Sequence, residues 1–252
     1  MTNRIDPASP ESALVAQRIE INPVAVARTP FRERFGIPRQ PGLVPEVPGR
    51  LVFVPPYDRP EAVEGLAAFS HVWLVFGFHA NAAPDGTLTV RPPRLGGNRR
   101  VGVFASRSPY RPNRLGLSAV RLDGIDLASG TPVLRLRGLD LLDGTPVYDV
   151  KPYVPYTDAL ADASGGFAAE AIPRLPVRFA PAADAQLAAR PDRDEVRVVI
   201  VAVLALDPRP GYRQDAPDSG RVLGMRLYDI DLRWRVAAGE VEVLELRDLP
   251  TG

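Results

Sequence analysis

A proline at every ninth position on average, 28 in 252 residues, leaves little room for long uninterrupted helices. That is about twice ordinary usage. Each proline fixes its own φ and removes a backbone donor, which steers the chain toward loops and extended strands and away from a helical bundle. The apolar pattern agrees. Val72 to Phe78 is an unbroken run rich in β-branched and aromatic residues, as expected of a strand buried on both faces. Val101 to Ala105, Leu117 to Leu122 and Val133 to Leu139 are further short strand candidates, divided by clusters of Gly, Pro, Asn and Asp. Such a series predicts an antiparallel barrel or sandwich. One helix is expected at Pro60 to Ala68, with Pro60 in its first turn and Asp58 ahead of it as a capping candidate.

Residues 1–17 contain acids and prolines but no apolar core of signal-peptide length, so they read as a flexible tail. The barrel is assigned to residues 18–165. A Gly-, Ala- and Pro-rich stretch follows, and the linker is placed at residues 166–176. Residues 177–252 form a small C-terminal α+β domain: a short helix at Ala182 to Ala189, a buried strand at Val196 to Leu206, and a hairpin. In the hairpin Tyr228, Ile230, Leu232, Trp234 and Val236 occupy one face and Asp229, Asp231, Arg233 and Arg235 the other. Ala237 to Glu240 then turns the chain into a last strand, Val241 to Leu246. The fold class is therefore mainly β, an N-terminal antiparallel β-barrel with a small α+β domain behind it. The longest apolar run, Val196 to Leu206, is too short to span a bilayer, so no membrane association is expected and the cytoplasm is the expected location.

The chain has no cysteine and only two histidines, His71 and His79. Disulfide scaffolds, cysteine zinc sites and cysteine nucleophiles are excluded, and no metal is expected. The net charge is +1, yet the charge is segregated. From Gly86 to Leu122 there is no acidic residue, while Arg91, Arg94, Arg99, Arg100, Arg107, Arg111, Arg114 and Arg121 all fall there. A segregated arginine block points to an anionic partner.

Three loops carry candidate chemistry. Arg91 to Arg100 holds Gly96-Gly97-Asn98, where a backbone without side chains lets a ligand approach; it fits a phosphate contact or a plain arginine-decorated turn. Arg107 to Asn113 is stiffened by Pro109 and Pro112 and presents two arginines, a serine and an asparagine. Asp143-Gly144-Thr145-Pro146 has the form of a hairpin turn. Close behind it, the only lysine, Lys151, stands two residues from both Asp149 and Tyr153. A lysine kept among thirty arginines suits a place needing a compact ammonium; a salt bridge with Asp149 is the structural alternative.

Pro38-Arg39-Gln40-Pro41-Gly42, Phe69-Ser70-His71-Val72-Trp73, Arg91 to Asn98, the Arg107 to Asn113 loop, Asp149 to Tyr153, Asp207-Pro208-Arg209-Pro210-Gly211-Tyr212 and Trp234-Arg235-Val236 follow one another in this order. Together they resemble the TrmO family, also known as YaeB or VirR-like proteins, from about Ile19 to Leu246. The resemblance implies an N-terminal barrel that binds S-adenosyl-L-methionine and a homodimer. It also implies an activity: methylation of the exocyclic N6 of threonylcarbamoyladenosine next to the anticodon of tRNA. It further implies cofactor contacts at Arg39, Gln40, His79, Arg107, Leu117 and the turn Asp143, Gly144, Thr145 and Pro146. Arg94, Arg99, Arg100, Arg111, Asn113, Arg209 and Tyr212 are the expected tRNA contacts, since arginine pairs bidentately with phosphate and carboxylate and stacks on loop bases. Lys151, Asp149 and Tyr153 are the candidates to receive the proton that leaves the methylated nitrogen. Arg114-Leu115 departs from the Pro-Ile more usual in the family and adds a charge beside the loop. The alternatives are a non-enzymatic arginine-rich barrel binding RNA or a nucleotide, and a methyltransferase of the same fold acting on a small molecule.

Overall fold

The computed structural model describes residues 19–81, 86–210 and 220–249; the expected tail and Tyr212 lie outside the described residues. The strands run β1 (Ala25–Arg28), β2 (Pro48–Phe53), β3 (His71–Gly77), β4 (Thr89–Val90), β5 (Val101–Gly102), β6 (Leu115–Asp126), β7 (Val133–Arg137) and β8 (Pro146–Pro152), followed by β9 (Val177–Phe179), β10 (Leu223–Leu227), β11 (Ile230–Ala237) and β12 (Glu240–Asp248). The helices are α1 (Pro155–Asp158), α2 (Pro181–Ala188) and α3 (Arg193–Leu204).

A closed antiparallel barrel is built in the order β1-β2-β7-β6-β3-β8. Closure falls to β1, where Ala25 pairs with Phe53 on one side and with Val147 on the other. Strand alternation puts Val72, Leu74 and Phe76 inside, with Leu51, Leu134, Leu136 and Val147. The opposite residues of β3, Trp73 and Val75, are half-buried on the outer wall, so this strand is fully covered on one face only. Gly116, beside Phe76 in the register, is required by packing: a Cβ there would lie 2.2 Å from the Phe76 ring.

The second unit is a four-stranded sheet, β10-β11-β12-β9, with β9 parallel to β12. Buried and half-buried residues alternate along β11 as the sequence predicts, Ile230, Leu232, Trp234 and Val236 facing inward. Its hairpin turns on Ala238 and Gly239, both at positive φ (53° and 76°), the geometry of a type I′ turn. α2 and α3 cover the sheet. The core of this unit also takes Phe31, Val44 and Val47 from the β1–β2 connection.

Three local expectations are corrected. Val196 to Leu206 is not a strand, because α3 occupies Arg193–Leu204. Val196, Val199, Ile200, Val203 and Leu204 are buried at the i, i+3, i+4, i+7, i+8 spacing of one helix face, with the small Ala202 buried beside them. Asp194 and Glu195 in the first turn add favourable charge at the helix N-terminus. β-branched content pointed one way, and burial period and charge decided the other. Pro60 to Ala68 is not one helix but two 3₁₀ turns, Pro60–Val63 and Leu66–Ala68, split where Gly65 takes φ 78°. No side chain caps the first turn; its N-cap is Arg59, not Asp58. Val101 to Ala105 is a two-residue strand followed by a 3₁₀ turn at Val103–Ala105. Among the described residues no helix is long and apolar enough to cross a membrane.

Candidate functional site

The connection from β7 to β8 folds back over one mouth of the barrel. The Gly138 amide donates to Val47 O and the Gly42 amide to Gly138 O, each at 2.9 Å. Further along, the Asp143 amide donates to Phe31 O and the Gly144 amide to Ala27 O. Gly144 sits at φ 79°, a conformation that favours glycine, so Asp143 to Pro146 is indeed a tight turn. Its side chains are engaged internally. Asp143 accepts from the Thr29 amide at 3.0 Å and from Arg32 at 2.7 Å, and the buried Thr145 hydroxyl donates to Leu142 O at 2.7 Å.

Two expected cofactor residues, 67 positions apart in the chain, meet at this mouth: Arg107 Nη1 donates to Gln40 Oε1 at 2.5 Å. On the β7–β8 connection lies a further residue, absent from the expected site. Asp140 accepts a 2.7 Å hydrogen bond from Ser118 Oγ, and Ser118 is buried inside the barrel wall. Burial lifts the Asp140 carboxyl to about 6, while the Ser118 hydrogen bond and the Arg107 guanidinium pull it downward. The signal available in the sequence was an acid at the start of the apolar run Leu139-Asp140-Leu141-Leu142; nothing there tied it to Ser118 or Arg107.

Arg39 diverges from its neighbour Gln40. Its Nη2 donates to Arg209 O at 3.0 Å, and burial holds its guanidinium below the ordinary arginine value, with Arg94 adding to the shift and Asp207 opposing it. Arg39 therefore lines a cavity of about 240 Å³ between the barrel connection and the C-terminal unit, walled by Pro38, Pro93, Ile172, Leu206 and Pro210 among others. Two expected tRNA contacts brace this junction. Arg94 donates to Ala168 O at 2.7 Å and also to Glu170 O. Arg209 forms a two-pronged pair with Asp207, each contact 2.8 Å, with both side chains nearly buried. Arg99, Arg100 and Asn113 are exposed, and the half-buried Arg111 donates to Ser106 O at 3.2 Å. Arg114 stands at φ 49°, which a proline, locked near −65°, cannot adopt.

The remaining expected residues lie on the outer wall. Leu117, next to Ser118 but facing the other way, is 56% exposed. Register puts it opposite Val75, which in turn pairs with Asp149; one row further, Ala119, Trp73 and Lys151 are aligned. Lys151 Nζ contacts Asp149 Oδ2 at 2.9 Å, the lysine exposed and the aspartate half-buried. Tyr153 packs on Trp73 and His71, its ring centroid 5.6 Å and 6.2 Å from theirs. His79 is exposed beyond the end of β3, beside the Phe78 to Arg114 backbone contact.

The fold and this mouth define a closed-barrel protein with an arginine presented on a side-chain amide, an arrangement suited to a ligand with an anionic end. Similarity to known proteins makes the class specific. The family model for the tRNA-methyltransferase O N-terminal domain matches residues 26–159, and that for the TrmO C-terminal domain matches residues 172–249. The chain belongs to the TrmO family. It is 48% identical over 226 residues to a putative S-adenosylmethionine-dependent methyltransferase, RcsF, of Pseudomonas aeruginosa, covering 85% of this chain and 91% of the relative. It is 43% identical over 239 residues to the tRNA (adenine(37)-N6)-methyltransferase of Escherichia coli, covering 88% and 95%. The crystal structure of TrmO from P. aeruginosa superposes with a TM-score of 0.76 at 40% identity, over 92% of this chain and 98% of that one.

Proposed function

We propose that this chain is an S-adenosylmethionine-dependent methyltransferase acting on the N6 position of threonylcarbamoyladenosine next to the anticodon of tRNA. The observation that carries the reading is the meeting of Arg107 and Gln40 at the barrel end that also bears the Asp143 to Pro146 turn, in a chain whose relatives include a tRNA (adenine(37)-N6)-methyltransferase. The lining suits the cofactor: the Arg107 guanidinium and the Gln40 side-chain amide for a carboxylate, and the exposed apolar Leu117 on the adjoining wall. When bound, S-adenosylmethionine supplies a methyl group from a sulfonium, and the electron pair of the broken bond stays on sulfur.

The chain's own residues then have three tasks. Arg107 and Gln40 hold the anionic end of the cofactor, with Arg39 and His79 at the border. The outer wall joins the two ligands: Leu117 borders the cofactor and Asp149 faces the acceptor nucleoside, the two flanking Val75 across two strand spacings, about 10 Å. The nitrogen that gains the methyl gives up its proton, and Asp149, paired with Lys151 and backed by Tyr153, is the group placed to receive it. Arg99, Arg100, Arg111 and Asn113 draw in the phosphates and exposed bases of the anticodon loop, while Arg94 and Arg209 shape the junction behind them. In this reading the enzyme is a homodimer working in the cytoplasm, on the strength of the family resemblance.

The test is incubation of the full chain with methyl-labelled S-adenosylmethionine and bulk tRNA, followed by nucleoside mass spectrometry. One added methyl on threonylcarbamoyladenosine is expected. Cofactor binding with label in no tRNA would favour the small-molecule methyltransferase, and the absence of cofactor binding would leave the RNA-binding barrel.

A further inference from the structure

Alternation along β3 sends Val72, Leu74 and Phe76 into the barrel and leaves Trp73 half-buried on the outer wall. The chain has two tryptophans, and the other, Trp234, is fully buried in the C-terminal core. Although Trp73 stands at the surface, its ring is fixed. The Trp73 Nε1–H donates to Asp158 Oδ2 at 3.0 Å, and that same oxygen accepts the Val154 amide at 2.8 Å. The Tyr153 ring packs against the indole, centroids 5.6 Å apart and planes tilted by 40°, and the Tyr153 amide donates to His71 O at 3.0 Å. On the β6 side the residue in register with Trp73 is Ala119, a side chain too small to cover an indole. With its N–H given to Asp158, the ring has only π surface left to offer a ligand.

The place of this ring on the wall indicates the ligand. One row of the wall is Leu117, Val75 and Asp149, and the next is Ala119, Trp73 and Lys151. Trp73 is one row and one strand away from Asp149, about 8 Å between Cα atoms, so a base next to a nucleoside presented to Asp149 comes within reach of the indole. Lys151 and Asp149, which border the ring, are of the residue types depleted from subunit interfaces. A rigid aromatic face with an ammonium beside it is instead what unpaired bases of RNA stack on.

We propose that Trp73, held by Asp158 and buttressed by Tyr153, is the stacking platform for the anticodon-loop base adjacent to the acceptor nucleoside. This rests on the reading of Asp149 and its row as the acceptor side of the site. Because the contact is π surface and not a hydrogen bond, it takes any base: it fixes where the loop lies and reads no sequence.

The experiment is titration of the full chain, loaded with S-adenosylhomocysteine, with an RNA hairpin of the anticodon stem and loop carrying threonylcarbamoyladenosine, followed by tryptophan fluorescence. Trp234 is buried, so a stacked base quenches Trp73 alone. Saturable quenching by the hairpin is expected, none by a fully paired RNA duplex, and none in Trp73→Phe. In methyl transfer to the hairpin, Trp73→Ala is expected to raise KM roughly 10-fold, with kcat and calorimetric S-adenosylmethionine affinity near wild type, and Trp73→Phe to recover much of that loss. Unchanged KM in Trp73→Ala overturns the proposal, and so does a fall in kcat with KM unmoved. Quenching that grows with protein concentration in the absence of RNA assigns the face to a second copy of the chain and rejects it as well. Should the Trp73 variants not fold, wild type suffices: saturating hairpin is expected to shield the accessible indole from acrylamide, and an unaltered acrylamide response rejects the idea. Methyl transfer to the hairpin without quenching overturns this proposal alone, whereas absence of both methyl transfer and hairpin binding overturns the proposed function with it.

Discussion

Phe31 and Leu227 pair backbone to backbone in a single antiparallel bridge between the barrel's first connection and the C-terminal sheet. Beside it the Tyr228 amide donates to Pro30 O at 2.7 Å. The Phe31 ring is buried in the C-terminal core, while its carbonyl accepts the amide of Asp143 at the barrel mouth. One residue thus ties the small unit to the turn that frames the site.

Phe31→Ala is expected to cost about 3–5 kcal/mol, the range for removing a buried aromatic ring and leaving a cavity. Because the ring sits in one core and the carbonyl serves the other unit's mouth, cofactor affinity should fall along with stability. Urea denaturation and calorimetric titration of the same variant check both.

The Asp140 carboxyl, raised to about 6 from an ordinary value near 3.8, makes stability depend on pH in the direction opposite to a salt-bridged acid. The folded state keeps this proton after the unfolded state has lost it. Its contribution is therefore fully present below pH 3.8 and is lost as pH rises through about 6. The loss amounts to roughly 3 kcal/mol at most. Asp140→Asn should remove this slope and melt higher than wild type at pH 7.5. Thermal unfolding measured from pH 4 to pH 8 for both proteins decides it.

Asp149→Asn is expected to lower kcat about 100-fold or more while leaving cofactor affinity near wild type, because the residue stands on the outer wall and not at the mouth. Lys151→Ala should reduce kcat as well, through the loss of the ammonium 2.9 Å from that carboxylate. Single-turnover methyl transfer is the measurement, and full activity in Lys151→Ala would remove the lysine from the mechanism.

The arginines should separate into two kinds. Arg99→Ala and Arg100→Ala, both exposed, should each lower the salt dependence of tRNA binding by about 0.7 in the log–log slope expected for single-stranded contacts, with no change in melting temperature. Arg209→Ala strips the nearly buried Asp207 of its two-pronged partner and should destabilise by about 1–3 kcal/mol. Filter binding across a salt series, with melting curves alongside, distinguishes them.

Much of the architecture was legible in the chain itself. Apolar runs and alternation are local properties, so β3, β6, β7 and the β11–β12 hairpin could be read from the residues, whereas β1, β2 and β8 of the barrel were not; proline frequency pointed away from a bundle before any strand was placed. The Arg107 to Asn113 loop pointed to a polar ligand because it is stiff and arginine-bearing, whereas Arg39 and Gln40 entered only through the family resemblance. α3 could have been read too: Val196, Val199, Ile200 and Val203 keep the helical period, and only the weight given to β-branched side chains concealed it. Other relationships are absent from any local pattern. Gln40 and Arg107 are brought together by barrel closure, Ser118 reaches Asp140 because β7 runs antiparallel to β6 and its connection returns over the barrel, and Arg39 turns to the C-terminal unit while Gln40 turns to the mouth. By itself the sequence determined which segments are extended, which loops are stiff and where the positive charge is concentrated. Only the tertiary structure decided which acid Ser118 holds and which arginines brace the junction with the C-terminal unit, since burial and long-range pairing belong to the folded chain and to no stretch of it alone.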